Sequence, residues 1–104
     1  MSKLSEIKPG ATIKLDKQRT LRFTLNSLAL VEERYGDMQK AAELAQSGKV
    51  SVIRTLLWAG LAHEDNALSE EQVGNMVDMA NLETVVKAIE QAFLTAPPEQ
   101  EGKN

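Results

Sequence analysis

Residues 11–36 read ATIKLDKQRTLRFTLNSLALVEERYG, and a change of hydrophobic period inside this stretch decides the fold class. In its first half apolar and polar residues alternate. Ile13 and Leu15 share one face, and beyond the polar break Asp16-Lys17-Gln18-Arg19 so do Leu21, Phe23 and Leu25. Successive strand side chains point to opposite faces, so a period of two predicts two half-buried strands joined as a β-hairpin. The break lacks the Asn-Gly or Asp-Gly pair that favours two-residue loops, and a four-residue turn is expected. From Thr24 the period lengthens. Thr24 caps a first helix with Leu25, Leu28, Val31 and Tyr35 on one stripe, and Gly36 stops it.

Downstream the chain reads as helices with clear punctuation. Asp37 caps a second, in which Met38, Ala41, Ala42 and Ala45 recur at helical spacing until Ser47-Gly48. A third runs from Val50 to His63 with Val50, Ile53, Leu57 and Leu61 on one stripe, broadened by Leu56 and Trp58, which makes it the central helix. Ser69-Glu70-Glu71-Gln72 has the form of a capping box and Leu68 with Val73 that of a hydrophobic staple, opening a fourth helix whose stripe is Val73, Met76, Val77 and Ala80. Asn81 caps a fifth carrying Leu82, Val85, Val86, Ile89 and Phe93, and Pro97-Pro98 forbids its continuation. Gly60 and Gly74 fall inside helical patterns, where close helix contact explains them.

The expected class is therefore mainly α (α+β), an N-terminal β-hairpin followed by about five short helices in one compact domain. That domain spans residues 11–96, between a flexible polar lead-in over residues 1–10 and a disordered polar tail over residues 97–104. A length of 104 residues suits a single core. With 42% hydrophobic and 26% charged residues the composition is that of a soluble globular chain. No run approaches the roughly 18 apolar residues of a membrane span, and no secretory signal is visible, so a cytoplasmic chain without a membrane partner is expected.

Chemistry is sparsely supplied. The absence of cysteine removes disulfides, thiolate metal sites and thiol catalysis. The one histidine, His63, stands beside Glu64 and Asp65, but adjacent residues diverge around a helix end and do not converge on a metal; a histidine bonding helix carbonyls is the expectation. The Asp65-Asn66 loop lacks the alternating ligands and central glycine of a calcium loop. Glu32 and Glu33 point about 100° apart on a helix and do not share a proton. Isolated glycines form no phosphate-binding loop. No catalytic residue, cofactor or metal is expected, and the chain reads as a non-enzyme.

Binding is the better-supplied class. A formal charge of −3 argues against broad nucleic-acid affinity, although Lys14, Lys17, Arg19 and Arg22 form a basic cluster on the hairpin that suits an acidic protein partner. Phe93 and Met76 lie on buried stripes, whereas Trp58 and Met79 lie off them. The candidate partner-binding residues are thus Trp58, Met79, Lys14, Arg19 and Arg22.

Three strings carry a family resemblance: Arg19-Thr20-Leu21-Arg22-Phe23-Thr24 leading into Leu28-Ala29-Leu30-Val31-Glu32-Glu33-Arg34-Tyr35-Gly36, then Leu56-Leu57-Trp58-Ala59-Gly60-Leu61, then Leu68-Ser69-Glu70-Glu71-Gln72-Val73-Gly74. In this order the chain resembles the small tail assembly chaperones of long-tailed phages, in the group that includes gene-transfer-agent homologues. Asp16-Lys17 stands in the hairpin turn where glycine is expected in relatives. The resemblance implies a non-enzymatic protein of the bacterial host cytoplasm, encoded by a phage or prophage. Such a protein holds the tape-measure protein soluble, helps the tail-tube protein polymerise around it, acts as a homo-oligomer and is absent from the finished virion. Two other readings stand beside it: a connector or completion protein retained in the virion, and a small helical nucleic-acid-binding adaptor, which the charge balance disfavours.

Overall fold

A computed structural model describes residues 10–94; all but the last residue of the expected lead-in over residues 1–10, the Pro97-Pro98 stop and the tail lie outside the described residues. Strands β1 (Ala11–Lys14) and β2 (Gln18–Leu21) form an antiparallel hairpin. Helices α1 (Leu25–Tyr35), α2 (Met38–Gln46), α3 (Val50–Leu61), α4 (Glu70–Gly74) and α5 (Leu82–Leu94) follow, so the expected class and element order are found.

The hairpin turn is shorter than its polarity suggests. Gln18 and Arg19 belong to β2 and pair with Lys14 and Ile13, leaving Leu15-Asp16-Lys17 as the connection. The Asp16 carboxylate holds it, accepting from the Lys17 amide (2.8 Å) and, through both oxygens, from Nε and Nη2 of Arg19 (2.8 Å each). Period two continues through Arg19 and Leu21 to Phe23, all buried, and then ends. Leu25 does not share that face: it opens α1 and is exposed.

Caps set most of the helix boundaries. Thr24 Oγ1 accepts from the Ser27 amide and Asp37 Oδ1 from the Lys40 amide. Gly36, at φ +100°, closes α1 in a conformation that L side chains rarely adopt. Ser69 and Gln72 form the full reciprocal capping box of α4. Helix α4 nevertheless stops at Gly74 after five residues, so Val77 and Met76 are half-buried in a following turn and Ala80 is exposed. Gly74 and Asn75 are both poor helix formers, and Asp78 starts a new turn by accepting from the Ala80 and Asn81 amides. Asn81 does not cap α5 with its side chain. Its Oδ1 instead accepts from the Asp78 amide and its Nδ2 donates to the Met76 carbonyl, closing the α4–α5 connection.

Helix α3 is central, touching α1, α2, α4, α5 and β2, and it buries Val52, Ile53, Leu56, Leu57, Ala59 and Leu61. Val50, at its first turn, departs from that stripe and is exposed. Helix α5 lies across β1 and contributes Val85, Ala88, Ile89 and Ala92. The Phe23 and Phe93 rings meet at 4.6 Å between centroids, tilted by 50°. Gly60 serves the hairpin rather than another helix, because a Cβ there would stand 3.0 Å from Leu21 Cδ2 and 3.5 Å from Phe23 Cζ. The Gly60 carbonyl accepts from the Arg22 amide (2.9 Å), and just beyond α3 Glu64 Oε2 accepts from the Thr20 amide (3.0 Å). His63 Nε2 bonds the Thr20 carbonyl (2.8 Å), so the histidine meets a strand carbonyl and not those of its own helix. The C-terminal end of α3 thereby covers the edge of β2 that β1 leaves open.

Candidate functional site

Two recesses open on different faces of α3. The larger is an apolar groove of about 490 Å³ between the first half of α3 and the segment running from α4 into α5. Val50, Ile53 and Leu57 supply one wall, and Val77, Met79 and Leu82 the other. Met79 is 84% exposed and Val50 63% exposed, values that mark unpartnered apolar surface. Three charges border it: Arg54 on α3, Glu71 on α4 and Asp78 on the connection. The stem of Arg54 passes close to Gly74, where a Cβ would lie 3.1 Å from Arg54 Cδ.

The second recess, about 390 Å³, lies between the start of α1 and the second half of α3, with Leu30, Trp58, Ala59 and Ala62 as apolar lining and Asn26, His63 and Asn66 as polar lining. Ser27 fixes its walls by donating its hydroxyl to the Ala59 carbonyl (2.8 Å). Trp58 is half-buried here. Its Nε1 donates to the Leu68 carbonyl (2.9 Å), and the Arg34 guanidinium lies 5.8 Å from its ring centre. Arg34 also donates to both oxygens of Glu70 (3.0 and 2.9 Å), while the buried Thr55 hydroxyl donates to Glu70 Oε2 (2.6 Å). Burial pushes the Glu70 carboxyl up, but the bonds from Thr55 and Arg34 outweigh it and hold the group below its ordinary value. This network ties the end of α1 and the start of α4 to α3, and so sets the position of the groove wall that α4 carries.

The structure does not bring the five sequence-derived candidates together. Met79 borders the groove and Trp58 the second recess. Lys14 and Arg22 are exposed on the outer face of the hairpin, where period two places both opposite to Arg19. Arg19 itself points inward and is 5% exposed. Its charge is met by Asp16 and, at 3.8 Å, by Glu64, so it leaves the surface basic cluster that Lys14, Lys17 and Arg22 retain. A carboxylate three residues before an arginine in a strand turn was the available signal. Val50 and Leu25 stand on the stripes that the sequence draws, yet both are exposed in the first turns of their helices.

Among the described residues no group of three or more His, Cys, Asp or Glu side chains could hold a metal, and no helix is long and apolar enough to cross a membrane. No family model, curated protein or solved structure matches the chain.

Proposed function

We propose that this chain is a non-enzymatic tail assembly chaperone of a phage or prophage, acting in the host cytoplasm. It binds the tape-measure protein, assists polymerisation of the tail-tube protein and works as a homo-oligomer. The observation that carries the reading is the pair of open, largely apolar recesses on a helix that is otherwise the centre of the core. A long amphipathic client presents apolar side chains at helical spacing, and a recess of the size of that beside Trp58 accepts a few of them at a time, which leaves the larger groove for contacts between copies. Affinity per contact is low and is raised by repetition along the client.

The strings that carry the family resemblance have distinct architectural roles, which supports the reading. The first leads from β2 through the Thr24 cap to the Tyr35-Gly36 stop; the second places Gly60 against Leu21 and Phe23; the third forms the Ser69 capping box. Trp58 faces the client in this reading, Met79 stands on the other recess and serves contacts between copies, and Lys14 and Arg22 steer acidic client segments toward the hairpin face. The test is composition and partnership. Tagged protein from producing cells is expected to co-purify with the tape-measure protein and to be absent from purified mature particles. Finding the protein in stoichiometric amounts in washed particles would transfer the assignment to a structural tail component.

A further inference from the structure

We infer that the groove between α3 and the α4–α5 connection is the self-association surface of this chain, filled by the same groove of a second copy. The need for many copies rests on the chaperone reading, but the surface itself is argued from its own chemistry. Val50 and Met79 leave apolar side chains standing at the borders of an apolar groove, so the surface offers both projections and a hollow to receive them. An unbranched methionine adapts its shape to such a hollow.

Charge selects the occupant. The α3 wall carries Arg54, whereas Glu71 and Asp78 lie across the groove on α4 and the connection. Arg54 lies near enough to Glu70 to lower that group's pKa, yet closes no ion pair among the described residues. A two-fold axis running along the groove rotates the α3 wall of one copy onto the opposite wall of the other. Arg54 of each copy then faces Glu71 and Asp78 of its mate, twice over, with Met79 of each copy entering the other's hollow. An axis across the groove would set Arg54 against Arg54, and the like charges disfavour it. A groove whose two walls carry opposite charge is thus complementary to itself, and this favours a second copy over a foreign helix.

The experiment needs no client. Light scattering coupled to size exclusion gives the mass of the purified full chain over a dilution series, and twice the chain mass is expected at the concentrated end. Arg54→Glu and Glu71→Arg are each expected to weaken self-association on the order of a hundredfold, because each swap enters the interface twice. Mixed in equal amounts, the two variants are complementary at both contacts, and native mass spectrometry is expected to find a heterodimer. Met79→Glu alters a side chain that is 84% exposed and so spares the fold, and it too is expected to give a monomer. Circular dichroism verifies that every variant is folded. A wild-type chain that stays monomeric throughout overturns the inference, as does a dimer that survives in Met79→Glu or a mixture of folded swap variants that stays monomeric. Co-purification with the tape-measure protein is scored separately, so loss of this interface and loss of the chaperone reading are distinguishable.

Discussion

Asp16 and Arg19 lie three residues apart on either side of the start of β2, and their paired bonds let a guanidinium occupy a core-facing strand position. The Arg19 guanidinium holds the Asp16 carboxyl down from 3.8 to about 2. A carboxyl whose folded pKa is depressed contributes stability that is fully present above its unfolded value and is lost as pH falls through the folded one. The stability gap between wild type and Asp16→Asn is therefore expected to close between about pH 4 and about pH 2, as read from urea unfolding at a series of pH values. A gap that stays constant across this window would contradict the pairing. Gly60 carries a second residue-scale prediction. With Leu21 Cδ2 only 3.0 Å from an added Cβ, Gly60→Val overpacks the junction of α3 with the hairpin and is expected to cost about 2 kcal/mol in the same assay. The need for a small residue at Gly60 is legible in the sequence as a glycine inside a helical pattern. Its neighbour is not, because contact with a strand about forty residues upstream leaves no local trace.

At the scale of elements, the agreement between sequence and structure follows the range of the forces involved. The caps Thr24, Asp37 and Ser69 and the stop at Gly36 depend on residues within a turn of one another, and each is found where the pattern puts it, whereas the hairpin is found with a shorter turn than the pattern puts there. The length of α4 is not local in this sense. Its stripe continues on paper to Ala80, but Gly74-Asn75 weakens the helix where Arg54 crosses it, and the Asp78–Asn81 bonds start a competing turn. A helix of five residues has few internal bonds and depends on its cap. Ser69→Ala is accordingly expected to cost about 1 kcal/mol and to speed amide exchange in α4 before any other helix, whereas the same exchange rates in α2 stay unchanged. Uniform acceleration across all helices would show that α4 does not open on its own.

For the molecule as a whole, the sequence marks Met79 as surface but cannot show that it borders a groove, since that groove exists only once α3 and the α4–α5 connection are side by side. Trp58 was legible as lying off the main stripe, yet its tie to Leu68 and Arg34 depends on a loop and a helix brought in from elsewhere. The two recesses have separate linings, so they are expected to be separable in function: Met79→Glu impairs self-association, and Trp58→Ala weakens client capture. The central claim is that this chain acts by holding a long client in solution. Its most direct test is the soluble fraction of a phage tape-measure protein, measured on co-expression with wild type, with Trp58→Ala and with no partner. The account predicts a client that is soluble with wild type, insoluble alone and intermediate with the variant. Equal solubility with and without this protein would contradict it.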